Sequence, residues 1–378
     1  MKNEFECGPI RPPSEAMSIL LRVTRNCPWN RCAFCMTYKD RKFSRRSVEE
    51  VKNDIDAMRA LADSLLDASS ALGLNGAMSE EVVEKVISPH NGPNHLSRQM
   101  AFWLHYGLKT AFLQDADSLV MKTGDLCEIL VYFRQKFPSL ERITTYARAS
   151  TVAKKSLEDL RRLREAGLTR LHIGMESGCD TVLGMIKKGV TAAEQIDAGR
   201  KAVLAGFDLS EYYMPGLGGR EHSRENALET ARVINSVNPT FVRLRSTVPL
   251  PGSPLHVLME EGSWTPLTED EKVKEIRLFL EHLEGISSTV LSDHMMNLLE
   301  DVEGVLPGDR NAMIELVDRY LGMGEEDRES FIVGRRLGRF RYLSDYHHDA
   351  GVENIKKQMK ERFGSIDAAV LEMLKNYI

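Results

Sequence analysis

The chain of 378 residues lacks several features that would assign it to other classes of protein. It has no apolar run of about eighteen residues, the length that a membrane-spanning helix needs. Residues 1–17 show neither the hydrophobic core of a signal peptide nor an Arg-rich transit pattern. The 50 basic and 55 acidic residues leave a net charge of −5, which gives no general attraction for a phosphate backbone. We therefore expect a cytoplasmic protein without membrane or nucleic-acid partners.

Cysteine is scarce, and its placement is uneven. Three of the six cysteines lie close together in the stretch RNCPWNRCAFC, namely Cys27, Cys32 and Cys35. The other three are far apart and have no CxxC partner, namely Cys7, Cys127 and Cys179. This distribution favours a reducing compartment over a disulfide framework. It also predicts one metal cluster per chain and no auxiliary cluster.

The three clustered cysteines predict an iron–sulfur site. A [4Fe–4S] cluster is usually held by four thiolates, whereas this stretch offers three and has no histidine nearby, so one iron would keep an open position. A zinc site would need a fourth Cys or His at a matching spacing. Zinc, or a chance grouping of thiols, is the alternative interpretation.

This stretch resembles the CxxxCxxC motif of the radical S-adenosylmethionine (SAM) superfamily, in which an aromatic residue precedes the last cysteine. Phe34 fills the aromatic place, and the resemblance makes it a candidate for binding the SAM cofactor. The first gap holds four residues instead of three, which we interpret as a one-residue expansion of the loop. The pattern is closest to the group of coproporphyrinogen dehydrogenases, methylthiotransferases and the Elongator catalytic subunit. The resemblance implies an α/β fold, an open (β/α)6 partial TIM barrel. It also implies one [4Fe–4S] cluster, SAM as a second cofactor, and reductive cleavage of SAM to a 5′-deoxyadenosyl radical.

The apolar pattern along the chain agrees with such a barrel. A buried strand is predicted within 17–26, so the cysteines follow its C-terminal end, where a parallel α/β barrel keeps its chemistry. Five more strands are predicted within 110–114, 142–150, 169–178, 207–221 and 239–255. Residues 67–108, which contain a Gly/Pro/Asn break at 91–94, are predicted to form an insertion or an elongated first crossover. This region would either pack against the barrel or form a small lid. Residues 1–258 would form the barrel, and 259–378 a helical C-terminal region that includes the stretch LSDHMMNLLEDVEG.

The resemblance places part of a SAM site after the second strand. Asp115, Ala116 and Asp117 occupy the position where relatives hold the amino group of SAM with a GGE-like stretch, although the glycines are missing here. Carboxylates can accept hydrogen bonds from an ammonium group. Asp117 could instead cap the following turn.

The resemblance places further SAM contacts on later strands. Glu176, in the segment ESG, stands where relatives meet the ribose, and Lys188 stands where they place a basic residue against the methionine carboxylate. Arg148 is a weaker candidate for the same carboxylate, and a plain surface lysine is the alternative for Lys188. Gly216 and Gly218 match the segment after the fifth strand that approaches adenosine, although glycines alone indicate only a turn.

Two arginines on the sixth predicted strand suggest a substrate contact. Arg243 and Arg245 are two residues apart and would share one face of a regular strand. Arginines that point into a barrel need an anion, so they predict a substrate carboxylate, with outward exposure as an equal alternative.

Three functional classes follow from these observations, and none of them assigns a catalytic side chain. The first is a radical SAM enzyme that acts on a small or medium-sized metabolite, anionic if the arginines bind it, with electrons from a donor such as flavodoxin or ferredoxin. The second is an enzyme that modifies RNA or protein. The third is a protein that binds SAM and a cluster without catalysis.

Overall fold

The computed structural model describes residues 4–87 and 94–375. The chain forms two compact units. The first contains Met1–Trp29, Asp40–His172 and Lys201–Asp208, and the second contains Asn30–Lys39, Ile173–Arg200 and Leu209–Ile378. The predicted domain boundary at 258 stays a prediction. The predicted break at 91–94 lies, apart from Asn94, outside the described residues.

Strands and helices alternate along most of the chain. The elements up to the sixth helix are β1 (Ile19–Arg22), β2 (Thr24–Arg25), β3 (Ser44–Arg45), α1 (Val48–Ala71), α2 (Glu80–Val86), α3 (Asn94–His105), β4 (Thr110–Gln114), α4 (Thr123–Lys136), β5 (Arg142–Ala147), α5 (Ala149–Lys154) and α6 (Leu157–Glu165). The following elements are β6 (Arg170–Glu176), α7 (Asp180–Met185), α8 (Ala192–Leu204), β7 (Asp208–Tyr213), α9 (Ser223–Val237), β8 (Phe241–Leu244), α10 (Pro254–Glu260), α11 (Glu269–Glu281), β9 (Thr289–Leu291), β10 (Gly304–Val305), α12 (Arg310–Leu321), α13 (Glu325–Arg336), α14 (Ala350–Phe363) and α15 (Ile366–Leu374).

In the first unit, β1, β4 and β5 pair in parallel. Leu20 lies opposite Phe112, and Phe112 lies opposite Thr144. The strands are almost entirely buried, as expected of a parallel sheet covered on both faces. Because parallel strands end at the same edge, the chain segments that follow β1 and β4 come together there.

The region predicted as an insertion contains α2 and α3. Its apolar side chains are largely buried, with Val82, Met100 and Trp103 each 4% exposed or less. The ring of Trp103 lies 6.0 Å from that of Phe5, near the N-terminus. These contacts favour the packing interpretation of residues 67–108 over a lid.

In the second unit, β7, β8 and β9 pair in parallel. Tyr212 lies opposite Arg243, and Val242 lies opposite Val290. The short β10 pairs antiparallel with β9. β9 and β10 were not expected, because the sequence from Leu291 to Gly304 was predicted to be helical.

That predicted helix is wrong, and tertiary hydrogen bonds explain why. The side chain of Asn297 accepts from the backbone N–H of Ser246 (2.8 Å) and donates to the carbonyl of Leu244 (2.8 Å). These bonds connect the segment to the end of β8, so its backbone follows the sheet and local helical periodicity is overridden. The rest of the region predicted to be helical does contain helices, namely α11, α12, α13, α14 and α15.

The α/β fold class is confirmed. The six expected strands are present as β1, β4, β5, β6, β7 and β8, with helices between them and a mainly helical region after β8. Among the described residues, no helix is long and apolar enough to cross a membrane.

Candidate functional site

The predicted cysteine ligands lie in a loop that a two-stranded ribbon closes at its base. β2 pairs antiparallel with β3, with Thr24 opposite Arg45. The backbone of Asn26 adopts a φ of 67°, a left-handed conformation that asparagine tolerates well, and its side chain donates to the carbonyl of Lys42 (2.7 Å). The loop therefore leaves and rejoins the ribbon at defined positions immediately after β1.

The three thiols of this loop are all half-buried. Cys27 belongs to the first unit, and Cys32 and Cys35 belong to the second. Among the described residues, no group of three or more His, Cys, Asp or Glu side chains is arranged to hold a single metal ion. A [4Fe–4S] cluster does not require such a group, because each thiolate binds a different iron. The chemistry of the donor set therefore fits an iron–sulfur cluster.

The second half of the loop is fixed by backbone hydrogen bonds within its own unit. The N–H of Ala33 donates to the carbonyl of Ile186 (2.8 Å), and the carbonyl of Ala33 accepts from Leu255 (3.0 Å). Phe34 packs against the buried apolar cluster that includes these residues. Its ring centre lies 5.8 Å from Nζ of Lys188, within cation–π range. The structure therefore brings two predicted SAM residues, Phe34 and Lys188, together.

Asp115 is buried where β4 ends and connects that strand to the cysteine loop. Its Oδ2 accepts from Arg22 at Nε (3.0 Å) and Nη2 (2.5 Å), and from the backbone N–H of Asn26 (2.7 Å). Burial raises the pKa of this carboxyl in spite of these bonds. Oδ1 is buried and has no hydrogen-bond partner among the described residues. The residue thus has a structural role, because it connects the end of β4 to the start of the cysteine loop.

Sequence reasoning missed the N-terminal segment that lies against β4. Gln114 accepts from the backbone N–H of Gly8 (2.7 Å) and donates to the carbonyl of Ile10 (2.6 Å). Glu6 pairs with Arg22 and Arg25, each at 2.7 Å. No sequence pattern signals these contacts, because their partners are up to 106 residues apart.

Asp117 and Arg148 lie in a second buried group in the first unit. Oδ2 of Asp117 accepts from the hydroxyl of Thr151 (2.6 Å), and burial raises the pKa of Asp117 to about 6. The guanidinium of Arg148 lies 4.8 Å from the ring centre of Trp29, two residues after Cys27. Ala116, between the two acids, is half-buried. The structure therefore places Arg148 beside the cysteine loop.

Glu176 and Lys188 form an ion pair of 2.9 Å in the second unit. Their side chains are 12% and 10% exposed. Glu176 has a φ of 66°, so the backbone turns sharply where β6 ends. A Cβ on Gly174 would lie 2.2 Å from Oε1 of Glu176 and 3.2 Å from Nζ of Lys188. Glycine at 174 is what leaves room for this pair.

A second buried acid, Glu211, stands near this pair and was not predicted. It lies on β7 and is 3% exposed, and its Oε2 has no hydrogen-bond partner among the described residues. Burial raises its pKa well above the usual value, the charge of Glu176 raises it further, and Lys188 opposes both. The available sequence signal was a glutamate inside the predicted strand segment DLSEYY.

The segment after β7 that contains Gly216 and Gly218 is hydrogen-bonded to the buried side chain of Glu275. Oε1 of Glu275 accepts from the N–H of Gly216 (3.0 Å) and from the hydroxyl of Tyr213 (2.7 Å). Gly216 has a φ of 82°, and a Cβ on Gly218 would lie 2.8 Å from the carbonyl oxygen of His222. Both glycines are therefore required by the backbone path. Glu275 was missed because it lies 59 residues after Gly216.

The two arginines of the sixth predicted strand have different environments. Arg243 is 6% exposed, forms an ion pair of 2.5 Å with Asp293 and donates to Ser210 (3.2 Å). Its anion is therefore a side chain of the protein. Arg245 follows the end of β8, is exposed, and lines a cavity beside Cys35. The expected pair on one face is not formed, because β8 ends at Leu244.

No family model matches the chain. Among curated proteins, it is 28% identical over 195 residues to the tRNA-2-methylthio-N(6)-dimethylallyladenosine synthase of Neisseria meningitidis, covering 48% of this chain and 41% of that protein. It is 22% identical over 120 residues to the tRNA uridine(34) acetyltransferase of Methanocaldococcus jannaschii, covering 32% of this chain and 22% of that protein. The chain thus spans less than half the length of these relatives.

Solved structures also match, among them the following two. TsrM, a radical S-adenosylmethionine methyltransferase from Kitasatospora setae, matches with a TM-score of 0.45 and 14% identity over 91% of this chain and 61% of that one. Elp3 of Methanocaldococcus infernus matches with a TM-score of 0.41 and 15% identity over 56% and 53%. These scores are too low to support an argument about the site. The resemblance to the methylthiotransferases that the cysteine motif indicated is borne out, as a sequence similarity, by the first of these curated relatives.

Proposed function

We propose that this protein is a radical SAM enzyme that binds one [4Fe–4S] cluster and SAM and acts on a small or medium-sized metabolite. The observation that carries the proposal is the cysteine loop. Its three thiols lie in one segment that β2 and β3 close at the base, directly after β1. Three thiolates suffice for three irons and leave the fourth iron open to a ligand.

The cluster would be held by Cys27, Cys32 and Cys35. When bound and reduced, it supplies the electron that cleaves the sulfonium bond of SAM and so starts hydrogen abstraction from the substrate. The protein would bind and orient the reactants and exclude water from them. The burial of Phe34 against the apolar cluster around Ala33 supports such a water-excluding role on one side of the loop.

The SAM contacts would come from charged groups that the structure already holds in place. Lys188 would bind the methionine carboxylate, and Glu176 would accept hydrogen bonds from ribose hydroxyls. Because these two side chains are paired at 2.9 Å, each would keep the other oriented when the ligand binds. Glu211 would hold a proton beside them, since burial keeps its carboxyl neutral.

Other predicted SAM residues have supporting roles in this proposal. Oδ1 of Asp115 and Oδ1 of Asp117 are buried acceptors without partners among the described residues, and an ammonium group could donate to them. Ala116 would contribute backbone only. Arg148 would act through its stacking on Trp29 in the cysteine loop.

The adenosine would lie along the backbone of Gly216 and Gly218. In this proposal Glu275 positions that segment, because it accepts hydrogen bonds from Gly216 and from Tyr213. The electron donor would be a small protein such as flavodoxin or ferredoxin. The enzyme itself would work in the reducing environment of the cytoplasm.

The test is anaerobic reconstitution of the parent and of a variant in which Cys27, Cys32 and Cys35 are all alanine. We expect about four irons per parent chain and formation of 5′-deoxyadenosine from SAM on reduction, and neither in the triple variant. The matched control is Cys127→Ala, because Cys127 is also half-buried but lies on α4. Undiminished iron in the triple variant, or a cluster-loaded parent that never cleaves SAM, would contradict the proposal.

A second candidate function is modification of RNA. Both curated relatives described above carry tRNA in their names. The expectation that nucleic acid is not a partner therefore finds no support. If the parent protein slows the migration of tRNA in a native gel in a salt-dependent manner, this candidate is favoured. Transfer of deuterium from a labelled metabolite to 5′-deoxyadenosine would favour the first.

A further inference from the structure

A cavity of about 420 Å³ lies beside Cys35 in the second unit. One side is formed by residues 34–37 of the cysteine loop, and another by Leu250 and Pro251 after β8. The remaining lining residues are Arg245 and Lys375. The volume falls within the range of small-molecule sites, roughly 300–1,000 Å³.

The charge of this cavity has one sign. Its described lining residues include two cationic side chains and neither Asp nor Glu. Lys375 pairs with Glu372 at the rim (2.7 Å), where the glutamate is 53% exposed. An exposed ion pair of this kind is weak and is readily exchanged for a better anion.

Arg245 differs from its neighbour Arg243 in a way that matters for ligand binding. Arg243 is buried and neutralised by Asp293 at 2.5 Å. The side chain of Arg245 has no ion pair among the described residues, and it is exposed at the cavity. Its planar guanidinium can therefore form a bidentate pair with a carboxylate or phosphate from outside the protein.

The electrostatic effect of Arg245 on a nearby side chain supports this description. The pKa of His294 is lowered to about 4, first by burial and then by the positive charge of Arg245. Arg245 thus exerts a positive field on its surroundings, although Asp293 opposes that field at His294.

We propose that this cavity is the substrate subsite and that Arg245 and Lys375 bind an anionic group of the substrate, a carboxylate or a phosphate. The assignment of the bound anion to the substrate rests on the proposed function, whereas the anion site itself does not. Cys35, a predicted cluster ligand, lines the same cavity, so an anion held there would place the rest of the molecule next to the cysteine loop. Lys375 follows the last residue of α15, so the C-terminal region would contribute to specificity.

The test is calorimetric titration of the full-length, anaerobic, cluster-loaded protein with inorganic pyrophosphate and, separately, with succinate at constant ionic strength. We expect the parent to bind at least one of them, and Arg245→Gln and Lys375→Gln each to weaken that binding about tenfold or more. Binding of pyrophosphate alone would identify a phosphate site, and binding of succinate alone a carboxylate site.

Two controls change a similar charge elsewhere. Arg232→Gln removes a guanidinium that is 52% exposed on α9, and Lys357→Gln removes an exposed ammonium on α14. Both should bind the anions like the parent. All variants should keep the circular dichroism spectrum and melting temperature of the parent, because the altered side chains are not in the core.

Three results would overturn the proposal. The parent could bind neither anion, or the Arg245 and Lys375 variants could bind like the parent. The anion could also be lost in Lys188→Gln and kept in Arg245→Gln, which would place it at the predicted site of the SAM carboxylate. Because these titrations do not involve SAM cleavage, their failure is distinguishable from failure of the proposed function.

Discussion

The ion pair between Lys188 and Glu176 gives the sharpest quantitative prediction about the proposed SAM site. Replacing Lys188 with Gln keeps the length of the side chain near that of lysine and removes its charge. If Lys188 binds the methionine carboxylate, the variant loses a charge-assisted hydrogen bond of about 1.5–3 kcal/mol. That loss corresponds to roughly a ten- to hundredfold weaker SAM affinity. We would measure it by calorimetry on anaerobic, cluster-loaded protein.

The neighbouring lysine provides a matched control. Lys187 is exposed while Lys188 is buried, so Lys187→Gln should bind SAM like the parent. Lys188→Arg should recover part of the affinity, since it restores the charge, although not in the same geometry. Lys188→Gln protein that remains folded, keeps its cluster and binds SAM with the parent affinity would refute the reasoning.

Two further predictions concern buried groups. Glu211→Gln should stabilise the protein at neutral pH. The carboxyl of Glu211 holds its proton in the folded state, whereas in the unfolded state it loses the proton above about pH 4.5. The free energy of unfolding of the parent therefore falls as the pH rises from about 4.5 toward the raised pKa of the folded state, and that of the amide variant does not. Urea unfolding from pH 4 to 8 measures this, and a parallel pH dependence in both proteins would contradict it. Gly178→Ala should destabilise by about 1–3 kcal/mol, because a Cβ there would lie 2.4 Å from the carbonyl oxygen of Glu229. Gly184→Ala on α7, where a Cβ has open space, should be neutral or stabilising by about 1 kcal/mol, and equal melting temperatures for the two variants would count against the packing argument.

The features that sequence predicts well here depend on short-range geometry. Ser47 and Glu50 cap the start of α1 reciprocally, with bonds of 3.1 and 2.7 Å, as the Ser-Val-Glu-Glu pattern predicts. Glu176 and Lys188 meet because β6 ends, the chain turns at once, and α7 brings the next residues back toward the strand end. Twelve residues of separation are few enough for such local structure to decide the contact.

The features that sequence could not predict depend on distant partners. The carboxylate of Glu275 supports the glycine segment from 59 residues downstream, and Asp293 neutralises Arg243 from 50 residues away. Period-two alternation placed Arg243 and Arg245 on one face, but it could not show that β8 ends between them. The predicted helix after Leu291 failed for the same reason, since the hydrogen bonds of Asn297 to β8 span more than fifty residues.

The charge balance around Lys188 explains why Glu211 belongs in any account of the site, although no motif marks it. Two carboxylates and one ammonium would leave a net negative charge in a nearly dry environment, which is costly unless one acid is neutral. Glu211 is the more deeply buried of the two acids, and its Oε2 has no partner among the described residues, whereas Glu176 is paired. Protonation of Glu211 therefore resolves the imbalance at the lowest cost. The acid then presents a hydrogen-bond donor instead of a second negative charge, and the ion pair beside it stays available for a ligand that carries both a hydrogen-bond donor for Glu176 and an anion for Lys188.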